Sequence, residues 1–212
     1  MISIEEAKRY YSGDDAAHDF EHVLRVLRLA ERIGRAEGAD MEVLRAAVLL
    51  HDVARVAEDQ GGPCHAEAGA QRARQILADH PRVKVEAVAE AIAAHRFRGS
   101  HLPETLEAKV LYDADKLDAI GAIGVARAYA IAGRHGQRLW ASVSSALTER
   151  SVQEARGDIL DTQHTPVHEH VFKLSRLRDS LFTPTARAIA AERHRYMAEF
   201  FDRLGREVNG EL

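Results

Sequence analysis

One stretch constrains this chain more than any other. Leu44 to Leu50 is a run of apolar residues broken only by Arg45, and it ends on His51-Asp52, followed by Val53-Ala54-Arg55. Such a run folds as a buried helix. An imidazole and a carboxylate side by side at its end then lie where unpaired polar groups cost several kcal/mol, roughly 2–7. The dipole at a helix C-terminus favours the His but not the Asp beside it. A divalent metal ion is the simplest compensation, because imidazole nitrogen and carboxylate oxygen both ligate one.

The rest of the chain reads as further helices around that stretch, with no run of sustained alternation. Ser3 and Glu6 make a capping box for a short first helix. A second helix runs from about His18 to Glu37, with Val23, Val26, Leu27, Ala30 and Ile33 on one stripe. Gly38 stops it, and Asp40 caps the helix that ends at His51-Asp52. The turn-rich segment from Glu58 to Pro63 reads as a loop. Helices are expected from near His65, over about Val83–His95, and from near Glu104 into Asp113-Ala114-Asp115-Lys116-Leu117-Asp118. Small residues then dominate from Ala119 to Ala132, a composition suited to close helix packing. Periodicity weakens from Gly133 to about Thr165 and recovers over Val167–Leu181. Pro184 opens a last helix that runs to about Val208. The fold class is all-α, in one domain over 1–212, with a metal-site core at about 18–132 and a C-terminal helical part at about 165–210.

Four residues on or at the ends of apolar stripes are candidate metal ligands: His22, His51, Asp52 and Asp115. Three helices would bring them together in a bundle core. Mixed imidazole and carboxylate donors suit Mn²⁺, Fe²⁺, Ni²⁺ or Zn²⁺ better than Ca²⁺. A coordination position left open to water would make the site hydrolytic, since the ion generates hydroxide near neutral pH. His18 lies four residues before His22, on one helix face, and reads as an outer group or a substrate contact. Asp113 and Asp118 read as surface residues of a charged turn, Asp118 with a further option of orienting a ligand or reaching substrate.

In this order the set resembles the HD superfamily of metal-dependent phosphohydrolases: His22 in His-Val-Leu-Arg-Val, then His51-Asp52, then Asp115 in Asp-Ala-Asp-Lys-Leu-Asp. The C-terminal part, Phe172-Lys173-Leu174 through Arg193 to Phe200, is similar to the stand-alone bacterial subgroup of the YedJ and YpgQ type. The resemblance implies an HD-domain helical bundle with additional C-terminal helices, in which those four positions bind one divalent ion. Manganese is the foremost candidate, with magnesium, nickel, iron or zinc as alternatives. His65 and His95 are similar to histidines that the HD-GYP branch uses for a second metal. Arg96 stands where that branch has another histidine, and its Gly-Tyr-Pro signature is absent. A second metal and a phosphate contact are therefore both open for His65 and His95. Arg55 stands where some HD nucleotidases place a catalytic Glu, and its planar fork suits phosphate oxygens. Lys116, Arg96 and Arg98 extend a cationic rim, and Glu58 or Asp59 is a candidate base.

The implied activity is metal-dependent hydrolysis of nucleotides, foremost the phosphoanhydride of a nucleoside triphosphate, with Asp52, Arg55 and Lys116 as catalytic groups. Phosphodiester hydrolysis, including that of a cyclic nucleotide, is the alternative within the same chemistry. A nucleotide-sensing module without turnover and a zinc-stabilised structural bundle are alternatives from other classes. The expected partner is a nucleotide or other phosphorylated small molecule. A net charge of −4 gives no broad basic face for nucleic acid. No apolar run reaches the roughly 20 residues that span a bilayer, and the acidic start at Met1–Glu6 lacks a signal core. The single Cys64 excludes an internal disulfide and a Cys-rich zinc motif, consistent with a cytoplasmic protein. The amphipathic C-terminal helices leave monomer and homodimer both open.

Overall fold

A computed structural model describes residues 1–11, 20–59, 61–96, 101–143 and 164–212. His18, Arg98 and most of the stretch of weak periodicity before Thr165 lie outside the described residues. Every regular element among the described residues is helical. The elements are α1 (Ile4–Lys8), α2 (Phe20–Glu37), α3 (Met41–Leu50), α4 (Arg55–Asp59), α5 (His65–Ile76), α6 (Arg82–Ala93), α7 (Leu106–Leu117), α8 (Gly121–Arg134), α9 (Pro166–Phe172), a 3₁₀ stretch (Leu174–Ser180) and α10 (Pro184–Val208). None of them is long and apolar enough to cross a membrane. The chain divides into two compact units, one of Met1–Lys116 with Leu181–Ala186, the other of Leu117–Ser180 with Arg187–Leu212.

The first unit is built around α3. Its residues Val43, Leu44, Ala46, Ala47, Val48, Leu49 and Leu50 are all buried, as the apolar run requires. Asp40 caps it by accepting from the backbone of Glu42 at 2.9 Å and of Val43 at 3.2 Å. The expected stripe on α2 is buried as well, and α2 and α6 both pack on α3. α5 lies against α6 and α3, and a glycine permits the approach. A Cβ on Gly69 would come within 3.2 Å of the His51 carbonyl oxygen and 3.3 Å of Ile92, so α5 sits directly against the turn that ends α3. The capping box of α1 is present, with Ser3 and Glu6 bonded reciprocally.

Two differences from the sequence reading matter. The segment taken as a loop from Glu58 begins with a turn of helix, α4, that starts at Arg55. Asp113, expected on the surface, is fully buried. Its carboxylate accepts from the backbone N–H groups of Phe182 and Thr183, at 2.9 and 2.8 Å, and from the Thr183 hydroxyl at 2.7 Å. Thr183 in turn accepts from the backbone of Ala186, which caps α10 ahead of Pro184. The charge is stable there because three donors replace its hydration.

In the second unit the small residues do pack closely. A Cβ on Gly124 would meet the Ala119 carbonyl oxygen at 2.3 Å, so only glycine lets the chain fold back at the start of α8. Asp118 is also buried here, ion-paired with Arg127 at 2.9 Å, and the Arg193 guanidinium donates to the Leu117 carbonyl. α9 is capped by Thr165, and its His170 ring stacks on Phe201 with centroids 4.4 Å apart.

Asp113→Ala would leave the Phe182 and Thr183 donors without their acceptor, and a loss of about 3 kcal/mol is expected, measured by denaturant unfolding. His170 supplies a pH test. Burial, helped by the positive neighbourhood of His194, pushes its pKa down to about 4. The unfolded chain takes up that proton near pH 6.5. Between these values the unfolded state binds more protons, so stability is full above about pH 6.5 and falls as pH drops toward 4. Unfolding curves of His170→Asn should show a shallower fall across that window than the unsubstituted protein; an identical slope would refute this.

Candidate metal centre

The turn after α3 presents His51 and Asp52 to a cluster supplied by four further helices. His51 is fully buried, and its Nδ1 lies 2.8 Å from the Val48 carbonyl oxygen. A carbonyl only accepts, so Nδ1 carries the proton and Nε2 is a bare lone pair. That Nε2 is buried, has no hydrogen-bond partner, and stands 3.6 Å from Asp52 Oδ2. His22, from α2, places its Nε2 3.8 Å from the same Oδ2 and 3.4 Å from Asp115 Oδ1, which α7 supplies. The four residues singled out in the sequence therefore lie together.

The other oxygen of Asp52 faces a second pair. His65, at the start of α5, and His95, just past α6, approach Oδ1 with their Nε2 atoms at 3.6 and 3.7 Å. These two nitrogens are 3.1 Å apart. His95 Nδ1 donates to the Ile92 carbonyl at 2.6 Å, and His65 Nδ1 donates to the Glu58 carboxylate. Both Nε2 atoms are thus lone pairs aimed at each other and at a carboxylate oxygen. Among the described residues two triplets have donor atoms spaced to hold a metal ion: His22, His51 and Asp52, and Asp52, His65 and His95.

The electrostatics fit the same description. Burial, aided by His95 and His22, lowers the His51 pKa to about 4; burial and His95 lower that of His65 to about 4. Both are neutral at pH 7, as ligation requires. Burial opposes the charge on Asp52, yet the surrounding imidazoles outweigh it and hold the carboxyl well below the usual range. Burial likewise opposes Asp115, and Lys116 and His22 keep it ionised. A pocket of converging lone pairs and anionic oxygens is an acceptor-only site, and only a cation satisfies it.

The cationic residues take particular places. Arg55 Nη1 lies 3.3 Å from His65 Nδ1, and Arg96 Nη1 lies 2.9 Å from Glu58 Oε1 and 3.0 Å from Cys64 Sγ. Lys116 pairs with Asp115 Oδ2, and its ammonium stands 5.2 Å from the Tyr112 ring centroid. Asp118 belongs to the other unit and to Arg127. Glu58 was legible only as a loop carboxylate; helix α4 puts it on one face with Arg55, three residues earlier. Tyr11 carried no signal in the sequence. Its hydroxyl donates to the Leu49 carbonyl at 3.0 Å, holding the last turn of α3, and burial, with Asp52 nearby, raises its pKa well above that of an ordinary phenol.

Comparison with known proteins agrees with this geometry. The sequence model of the HD domain matches residues 19–120. The protein YpgQ of Bacillus subtilis, described as uncharacterized, is 31% identical over 204 residues, covering 94% of this chain and 88% of YpgQ. The crystal structure of Bacillus subtilis YpgQ in complex with ADP superimposes with a TM-score of 0.72 at 26% identity, covering 98% of this chain and 99% of that one. A predicted HD superfamily hydrolase from an uncultured Thermotogales bacterium gives a TM-score of 0.63 at 30% identity, over 96% of this chain and 88% of the other.

Metal linkage tests the centre directly. A divalent ion at 100 times its Kd should stabilise the folded chain by about 2.7 kcal/mol, read as a rise in Tm when stripped protein is reloaded. His51→Ala should abolish that rise, and an undiminished rise in the variant would place the ion elsewhere.

Proposed function

The chain belongs to the HD superfamily of metal-dependent phosphohydrolases, and from that membership we propose that it hydrolyses nucleotides, foremost at a phosphoanhydride of a nucleoside triphosphate. The observation that carries this reading is the Asp52 carboxylate set between two imidazole pairs, with arginines beside it. The ADP held by the YpgQ structure supports a nucleotide as substrate.

In this reading His22, His51, Asp52 and Asp115 hold one divalent ion. His65 and His95, with the other oxygen of Asp52, hold a second or contact phosphate. When bound, such an ion lowers the pKa of water and offsets charge that builds on phosphoryl oxygens. The chain's own residues do the rest. Asp52 and Asp115 supply the fixed negative charge that keeps a cation in place. The Val48 and Ile92 carbonyls lock two imidazoles in the ligating tautomer. Arg55 and Arg96 carry the planar forks that bind phosphate oxygens and orient the scissile bond. Lys116 steadies Asp115 from its far oxygen. His18 and Arg98 are further substrate contacts in this proposal, whereas Asp118, buried and paired with Arg127, is not one. Mixed imidazole and carboxylate donors support Mn²⁺, and the unpaired Cys64 supports a cytoplasmic setting.

A second reading, phosphodiester hydrolysis, is favoured by the pair of triplets that share Asp52, because His22, His51 and Asp52 with Asp52, His65 and His95 would hold two ions, which would supply the charge stabilisation that phosphodiester cleavage needs.

One panel separates these readings. Stripped protein reloaded with Mn²⁺, Mg²⁺, Ni²⁺ or Zn²⁺ is assayed for phosphate and pyrophosphate release from nucleotides and for cleavage of diesters. Metal-dependent release from triphosphates is expected. Asp52→Ala and Asp115→Ala should lose both metal and activity. Arg55→Ala should keep the metal and lose about 10²-fold in kcat/KM. Turnover of diesters alone would shift the assignment to the second reading. No turnover with a filled site would overturn both in favour of a sensing role.

A further inference from the structure

Glu58 stands at the meeting point of three charged or ligating side chains. One of its oxygens accepts from His65 Nδ1 and lies 3.7 Å from Arg55 Nη1. The other lies 2.9 Å from Arg96 Nη1. Arg96 also reaches Cys64 Sγ at 3.0 Å, and Cys64 immediately precedes His65. The carboxylate is therefore held from both sides, by the Arg96 guanidinium on one oxygen and by the His65 imidazole on the other. Its side chain is 20% exposed, well below that of a solvated surface pair.

A neutral imidazole has one N–H and one lone pair, and which nitrogen carries the proton depends on its partners. His51 and His95 have backbone carbonyls for this purpose, Val48 and Ile92. The backbone does not serve His65 in that way: its Nδ1 faces the Glu58 carboxylate instead. Arg55 Nη1 also lies 3.3 Å from Nδ1, but the Glu58 carboxylate is the nearer partner and only accepts, so it draws the proton to Nδ1 and leaves Nε2 as the lone pair, 3.6 Å from Asp52 Oδ1 and 3.1 Å from His95 Nε2.

We propose that Glu58 is a positioning residue: it fixes the His65 imidazole in the tautomer that turns Nε2 toward Asp52 and His95, and so sets the affinity of an ion held by those three. The inference rests on reading Asp52, His65 and His95 as a second ion site. It also gives Arg55 and Arg96 a shared anchor beside that ion. A carboxylate that orients a ligand imidazole from its far nitrogen raises both its basicity and its order. The first ion site, with His51 oriented by a backbone carbonyl, does not depend on Glu58.

That difference makes the test selective. Stripped full-length protein is titrated with Mn²⁺ in a calorimeter, and the equivalents bound are counted for the unsubstituted chain, Glu58→Ala, Glu58→Gln and His65→Ala. Two equivalents are expected in the unsubstituted chain and one in His65→Ala, which identifies the second ion. Glu58→Ala should weaken that same equivalent by about 10–100-fold and leave the other unchanged. Glu58→Gln keeps an oxygen for His65 Nδ1 and should recover most of the loss, which a role limited to anchoring arginines by charge would not do. Two equivalents of unchanged affinity in Glu58→Ala would overturn the role of Glu58 alone. Loss of both equivalents would show general loosening and overturn it too. A single equivalent in the unsubstituted chain, indifferent to His65→Ala, would overturn the two-ion reading and the role of Glu58 with it.

Discussion

The structure depends on one carboxylate. Asp52 follows a helix whose last turns, Ala46 to Leu50, are apolar and buried, and it faces four imidazole nitrogens at 3.6–3.8 Å. An ionised carboxylate in such a place is tolerated only because positive partners surround it. The surrounding imidazoles hold the Asp52 carboxyl well below the usual range, and a bound cation would add to that stabilisation. The arrangement has a surplus of acceptors and a deficit of cations among the described residues, the electrostatic signature of a metal site. The helices exist in positions that serve this deficit: α2, α5, α6 and α7 each bring one ligating side chain to the turn after α3.

Packing and polarity are coupled at that turn. Gly69 lets α5 press against the His51 carbonyl, and Tyr11 bonds the Leu49 carbonyl just before it. The last turn of a helix leaves carbonyl groups without intrahelical partners. Here Val48 spends its oxygen on the His51 ring and Leu49 on a phenol, so the helix end is satisfied by the same groups that orient the site. A residue that shifted this turn would disturb the ligands and the core together.

Much of this was legible in the sequence, for a physical reason. His22, His51, Asp52 and Asp115 stand out because polar groups on apolar stripes are costly and their positions follow from helical periodicity. The capping residues Ser3 and Asp40 and the Pro184 helix start act locally, so local sequence reveals them. Asp113 and Asp118 were misread because their partners are remote or arginine-borne. Asp113 is buried by donors about 70 positions away, and nothing near it in the chain announces Thr183. Glu58 was obscured differently. The glycines at 61 and 62 mark a loop, and they hide the single helical turn that ends just before them.

The contrast between Arg55 and Lys116 shows how the surroundings divide labour among cations of equal charge. Lys116 is bound to Asp115 and stands by an aromatic ring, a compact ammonium used to hold a ligand still. The arginines flank His65 and Glu58, where a planar fork can bond a carboxylate and still present further N–H groups. In the function proposed for this chain, ligands that take a cation and arginines that take phosphate oxygens serve one class of molecule, a metal ion accompanied by a phosphate chain.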